Sequence, residues 1–226
     1  METPPLAAET ASLSEQAYRV LYRLIVSCEL APGSWVSELQ LQDLSRHART
    51  PTREAAVRLI SDQLLEVIPR RGYRIAPLTL EAAAQILDVF DLLMLEVMRQ
   101  ATFDASSAAR LRSLIENPPS DDDPGRIGNL LDFSDAFGRS MLGGGVNPWL
   151  SDMLGRLFAH VERLWSFSFA APMADLIEFG YRPILTLMES DPMDREAALA
   201  EYKPSMDWIR EITLSGMRSK MVDTPR

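Results

Sequence analysis

Arg49-Thr-Pro-Thr-Arg-Glu-Ala55 and Leu64-Leu-Glu-Val-Ile-Pro-Arg-Arg-Gly-Tyr-Arg74 are the two segments that decide the fold. The first reads as a helix start. Thr50 is placed as the cap, and Pro51 sits at the first helical position, where its missing N–H costs nothing. Ala56, Leu59, Ile60 and Leu64 follow at helical spacing and predict a buried face. The second segment holds two short runs, Leu65–Ile68 and Tyr73–Ile75, rich in β-branched or aromatic residues. They flank Pro69-Arg70-Arg71-Gly72, so the pattern is that of a β-hairpin.

Upstream, Ala17, Val20, Leu21, Leu24 and Ile25 recur at spacings of three and four and predict one helix from Ser14. Ala31-Pro32-Gly33 stops it. Ser37 reads as the N-cap of a second helix, Glu38 to Ser45, with Leu41 and Leu44 inward. Residues 1–12, rich in Pro, Ala, Thr and Glu, read as a flexible tail. Three helices and a hairpin over 13–77 describe a winged helix-turn-helix. Residues 78–226 read as helical throughout, with helices at about 79–103, 107–116, 126–142, 148–169, 174–189 and 194–220. Their separators are Asn117–Gly125, Gly143-Gly144-Gly145, Ala170-Ala171-Pro172 and Ser190-Asp191-Pro192. The expected fold is therefore mainly α: a winged head followed by an all-α antiparallel bundle.

Charge first opposes a nucleic-acid partner. The chain has 226 residues, 23 basic against 32 acidic, for a formal −9. Resolved by region, residues 1–77 are neutral and the whole −9 falls on 78–226. Residues 46–74 hold seven arginines against Glu54, Asp62 and Glu66, a local +4. One cysteine, Cys28, cannot form an internal disulfide. No apolar run approaches the roughly 20 residues of a membrane span. The N-terminal segment lacks the basic and apolar regions of a signal peptide, so the expected compartment is the cytoplasm.

In a winged helix-turn-helix the third helix enters the major groove. Arg suits bidentate contact with guanine, and a helix N-terminus offers N–H groups to phosphate. Arg49 and Arg53 stand one turn apart at that N-terminus, with the hydroxyls of Thr50 and Thr52 beside them. Arg70 and Arg71 occupy the hairpin turn. The alternative is a solvated face in which these arginines balance Glu54, Asp62 and Glu66. Their placement on the two elements that must touch DNA favours the first reading.

The quoted runs, with Glu29-Leu-Ala-Pro-Gly33 and Ser37-Glu38, closely resemble the GntR family of bacterial transcription regulators over residues 14–77. The resemblance implies that Arg49 and Arg53 contact operator DNA and that Gly72 lies at the wing tip. The DNA-binding set is Ser37, Arg46, Arg49, Thr50, Thr52, Arg53, Arg70, Arg71, Gly72 and Tyr73. Where the family has Gly-Val-Ser, this chain has Arg46-His47-Ala48. The tight glycine turn and one hydroxyl are expected to be lost, and Arg46 to add a phosphate contact.

The helical half resembles that family's FCD effector domain by helix count, Asn147-Pro148, and Asp191-Pro192 before an Ala-rich helix. Many such domains hold a divalent metal through one Asp and three His. The matching positions here are Ser134, Gly138, Gly180 and Tyr202, and the half has one histidine, His160. A metal site is therefore not expected, nor a cofactor. Asp132 and Asp135 read as solvated or capping residues. Ten methionines, including Met94, Met98, Met141, Met153 and Met188, share this half with Trp149, Phe158, Trp165, Phe167 and Trp208. Methionine adapts to irregular apolar shapes. This set is either ordinary core or the wall of a pocket for an apolar or amphipathic organic effector. In the pocket reading Ser134, Gly138, His160, Gly180 and Tyr202 line it; His160 is equally compatible with a structural role.

The expected function is a homodimeric regulator that binds a pseudo-palindromic double-stranded operator and is controlled by a small molecule, with no membrane partner. A repressor is the reading adopted; activation is equally compatible with the residues. The alternatives are a purely dimerising C-terminal domain and a helical interaction module without DNA binding. No nucleophile triad, Gly-rich phosphate loop or His-rich zinc motif is present, so an enzyme is not expected.

Overall fold

A computed structural model describes residues 11–103, 105–123, 125–143, 145–168 and 171–223, except for several side chains within 126–143. Most of the expected N-terminal tail lies outside the described residues. The chain divides into two units: Met1–Ile25 with Glu29–Pro77, and Leu78–Arg226 with Val26–Cys28.

The first unit contains α1 (Leu13–Val26), β1 (Trp35–Val36), α2 (Glu38–Ser45), α3 (Arg49–Ser61), β2 (Leu65–Ile68) and β3 (Gly72–Ile75). The strands form an antiparallel sheet in the order β1-β3-β2. A two-residue β1 is too short to show periodicity. Backbone bonds hold it in place, from Gly33 N–H to the Ile75 carbonyl and from Ile75 N–H to the Ser34 carbonyl, both 2.9 Å. Leu21 and Ile25 of α1, Leu41 of α2, Ala56 and Leu59 of α3, and Leu65 and Ile75 of the sheet are buried together as the core.

Several inward positions differ from the sequence reading. Val20 and Leu44 are exposed, and Ile60 is only half-buried. In α2 the inner stripe runs through Leu41 and Ser45, one turn apart, which turns Leu44 outward. Helix α3 starts at Arg49, two residues early. Its N-cap is Ala48, and Thr50 is an exposed first-turn residue rather than the cap. Pro51 still falls in the first turn, where no intrahelical N–H is needed.

The second unit comprises α4 (Leu80–Gln100), α5 (Ala105–Glu116), α6 (Arg126–Gly143), α7 (Pro148–Ser168), α8 (Met173–Asp175), a π-helical turn (Leu176–Tyr181), α9 (Arg182–Glu189), a 3-10 turn (Pro192–Asp194) and α10 (Arg195–Asp223). Thr79 caps α4 by accepting from Ala82 N–H at 3.1 Å. Phe90, Met94 and Met98 of α4 pack with Leu154 and Phe158 of α7 and with Tyr202 and Met206 of α10. Met141 and Met188 join this core, whereas Met153 is exposed and Trp149 is 81% exposed. Those two lie one turn apart on the outer face of α7, so the reading of them as core or pocket residues is corrected.

Helices α7 and α10 meet closely at Gly216. A Cβ built there would overlap the Ser168 carbonyl oxygen. Backbone cannot yield as a side chain does. Gly216→Ala is expected to destabilise this unit by roughly 1–3 kcal/mol, as overpacking does. A thermal melt checks this; an unchanged midpoint would mean the crossing is looser than described.

Candidate nucleic-acid interface and a cavity in the helical body

The turn between α2 and α3 sets the direction of α3. Arg46 ends α2 in the left-handed region at φ 57°. The tight turn that glycine makes in the resembled family is thus retained, and an arginine makes it. Thr52 lies beneath it, 1% exposed. Its hydroxyl donates to the Ala48 carbonyl at 3.0 Å and lies 3.1 Å from the Ser45 hydroxyl. This overturns Thr52 as a DNA contact: its oxygen is spent inside, joining the two helices. The lost hydroxyl is real, because Ala48 makes no side-chain cap.

Above that joint the arginines are ordered by one carboxylate. Glu38 opens α2 and is reached by Arg49 Nε at 2.6 Å and Arg53 Nε at 2.8 Å; Arg53 Nη2 donates to its second oxygen at 2.9 Å. The Arg53 and Arg49 bonds hold its carboxyl below the usual range. Both guanidinium side chains remain more than half exposed. The sequence reading missed Glu38, because a contact across 11 or 15 residues leaves no local pattern. Ser37 beside it forms a reciprocal capping box with Gln40. Its oxygen accepts there, so its proton remains available to donate.

The wing tip is Pro69-Arg70-Arg71, closed by Arg71 N–H to the Ile68 carbonyl at 3.0 Å. Arg70 takes φ 65°, a conformation that turns normally assign to Gly or Asn. Both arginines are exposed, and the Arg71 guanidinium lies over the Trp35 ring at 5.6 Å. Gly72 serves the backbone: at φ 99° its Cβ would meet the Val36 oxygen at 2.9 Å. It begins β3 rather than forming the tip. Tyr73 is half-buried in β3 opposite Val36 and Val67. Two arginines of the basic segment are used elsewhere. Arg58 lies over Tyr18 at 3.9 Å and pairs with Glu15, and Arg74 faces Glu66 across the hairpin at 3.8 Å.

The helical unit holds a cavity of about 100 Å³ that is not fully closed off from solvent. Its wall includes Phe90, Met94, Ser134, Phe158, Trp165, Leu176, Gly180, Ile184, Tyr202 and Met206, with Asp91 and Arg210 among the polar members. For scale, an engineered apolar cavity of roughly 150 Å³ takes up benzene. Ser134, Gly180 and Tyr202 of the expected pocket set line it. Gly138 does not, but faces Phe158: a Cβ added there would lie 3.8 Å from that ring. His160 is not in the wall either. It lies about 200° around α7 from Phe158, on another face, and has partners there. Gly180 sits in the π-helical turn with open space where a Cβ would go. Asp132 is exposed, and the Asp135 side chain lies outside the described residues.

Two wall residues have buried polar atoms without hydrogen-bond partners among the described residues, Ser134 Oγ and Trp165 Nε1. Asp91 is pushed up to about 6, chiefly by burial and against the pull of Arg210, whose Nη1 is 3.4 Å away. Arg210 also binds Asp88 at 2.5 Å. Burial and the nearby Asp91 push the Tyr202 phenol up.

Residues 13–75 match the model of bacterial regulatory proteins of the gntR family. The winged head, to which the match is confined, is similar to that family's DNA-binding domain. Over 63 residues it is 38% identical to the HTH-type transcriptional repressor RspR of Escherichia coli K12, and equally to the HTH-type regulator YdfH of Shigella flexneri. Each match covers 28% of this chain and 28% of the relative. In structure the chain is similar to E. coli McbR/YncC, with TM-score 0.66 and 21% identity, over 89% of this chain and 98% of that one. A GntR structure from Rhodococcus sp. RHA1 gives TM-score 0.56 at 15% identity over 96% and 100%. At these identities the likeness shows a shared fold: a winged head followed by a helical domain. No helix among the described residues is long and apolar enough to cross a membrane.

The residues do not fit the metal that the FCD resemblance implies. Two of the four matching positions are glycines without a donor; the other two are a serine and a tyrosine pushed toward its neutral phenol. No group of three or more His, Cys, Asp or Glu comes together among the described residues.

Glu38→Gln removes a negative charge from the winged head and loosens both arginines. Random duplex is expected to bind several-fold tighter at low salt, on the order of one lost phosphate repulsion. Anisotropy titration reads this, and unchanged affinity would remove Glu38 from the interface. Asp91 gives a pH prediction. Its native pKa lies above its unfolded value, so the native state binds the extra proton, and Asp91 favours folding less as pH rises from about 4 to about 6. Chemical denaturation across that window, for the protein and for Asp91→Asn, is expected to show the difference in slope; parallel curves would contradict it.

Proposed function

We propose that the chain is a cytoplasmic, homodimeric transcription regulator of the GntR family, acting as a repressor. Residues 13–77 read a pseudo-palindromic operator, and residues 78–226 form an FCD-like effector and dimerisation domain. The observation that carries the reading is the pair Arg49 and Arg53, one turn apart on α3 and aligned by Glu38, with Arg70 and Arg71 exposed at the wing. Helix α3 presents Arg49, Thr50 and Arg53 to the major groove. Ser37, Arg46, Arg70 and Arg71 take phosphate or the adjacent groove, with Tyr73 at the rim. Two such heads on a pseudo-palindrome require two-fold symmetry. The repressor assignment is supported by the name of RspR, matched through the head alone.

The cavity favours effector control over a purely dimerising body, since an ordinary core is packed closed. An effector would act by binding one arrangement of the two heads better than the other. A small uncharged ligand in place of the metal is the form of control that Ser134, Gly180 and Tyr202 support.

Arg53→Ala is expected to lose about tenfold or more of the preference for operator over random duplex, the worth of one bidentate base contact. The dimer should persist in sedimentation. Competition footprinting on DNA upstream of the chain's own gene measures the first quantity. A variant that discriminates as before would remove Arg53 from the reading set.

A further inference from the structure

We infer that the cavity takes a compact, uncharged molecule with an apolar body and a carbonyl-type hydrogen-bond acceptor, held by Trp165 Nε1–H and Ser134 Oγ. The inference rests on the effector reading above and names the class of effector. It starts from two orphaned polar atoms. An indole N–H can only donate, and a serine hydroxyl can always donate. Both are buried in the wall without partners among the described residues, which is costly until an acceptor arrives.

Their placement along the helices brings them to one level. Gly138 of α6 faces Phe158 of α7, and a Cβ added at Gly155 would lie 3.5 Å from Leu142. As the number falls on α6 it rises on α7, so the helices run antiparallel. Ser134, one turn before Gly138, therefore lies between the levels of Phe158 and Trp165. Phe90 stands edge-on to both rings, at centroid distances of 5.5 Å from Phe158 and 6.3 Å from Trp165. The donors thus sit beside an aromatic wall that an apolar body would cover.

The charged groups of the wall exclude the other ligand classes. Arg210 is engaged by Asp88 and Asp91 and has no free carboxylate fork to offer. An anion would then be buried against neutral donors alone, which compensates poorly for its lost hydration. A cation would find the Asp91 carboxylate already engaged by Arg210, and the orphaned indole N–H could give it nothing. A plain hydrocarbon would leave both donors unpaired. A neutral acceptor satisfies them without importing charge.

The test uses the full chain, labelled with 15N, and four probes sharing one ring: acetophenone, ethylbenzene, benzoate and phenethylamine. Acetophenone is expected to bind at least about tenfold tighter than the other three, the discrimination that unpaired buried donors impose. The Trp165 indole N–H resonance, assigned by its loss in Trp165→Phe, should move downfield. Ser134→Ala and Trp165→Phe should each erase most of the preference over ethylbenzene while ethylbenzene still binds. If ethylbenzene binds as tightly and the indole resonance stays put, the acceptor class is overturned and the effector cavity stands. Tightest binding by benzoate or phenethylamine overturns it likewise. If none of the four binds, the effector reading itself falls.

Discussion

The head depends on a hydrogen-bonded joint of two small side chains. Ser45 and Thr52 meet 3.1 Å apart in the turn between α2 and α3, and Thr52 also binds the Ala48 carbonyl. Both are buried, so their polar atoms must be paired. Pairing them with each other fixes where α3 begins relative to α2. Only with that angle set does Glu38, at the start of α2, reach Arg49 and Arg53 together. Helix α3 is aligned from within and leaves its cations outward.

The same surface carries local strain. Arg46 and Arg70 both adopt positive φ, at a turn and at the wing tip. Glycine would make either turn without the roughly 1–2 kcal/mol that an L-residue incurs there. Strain retained at two arginines on reading elements is consistent with a task that needs the charge more than the relaxed turn. Regional charge agrees. The −9 of the chain falls on residues 78–226, which phosphate would repel, while 46–74 stays positive.

Much of this was legible in the sequence because it is local. Ser37 before Glu38 gave the cap of α2, and the Pro/Gly turn gave the hairpin. Periodicity placed the helices of the body to within a few residues. What was not legible is tertiary. Thr52 looked like a surface hydroxyl because one sequence cannot show Ser45 beneath it. Glu38 looked like an ordinary first-turn acid until its two distant partners were in view. His160 was singled out as a lone histidine, but the face of α7 that lines the cavity passes through Phe158 and Trp165. Asp91 and Arg210 entered the cavity wall from positions 119 residues apart in the chain. The π-helical turn at Gly180 has no composition signal, because only the bulged backbone distinguishes it from an α-helix.

On the proposed function, a nearly neutral head on an acidic chain binds duplex DNA through a small set of arginines. The salt dependence of affinity tests it most directly. Binding to a duplex from upstream of its own gene, measured between about 50 and 200 mM salt, should weaken linearly in log–log form, with a slope set by the few phosphates each dimer neutralises. Arg70→Ala should make that slope shallower. Affinity that is flat across the salt range, or the absence of specific binding, would contradict the account.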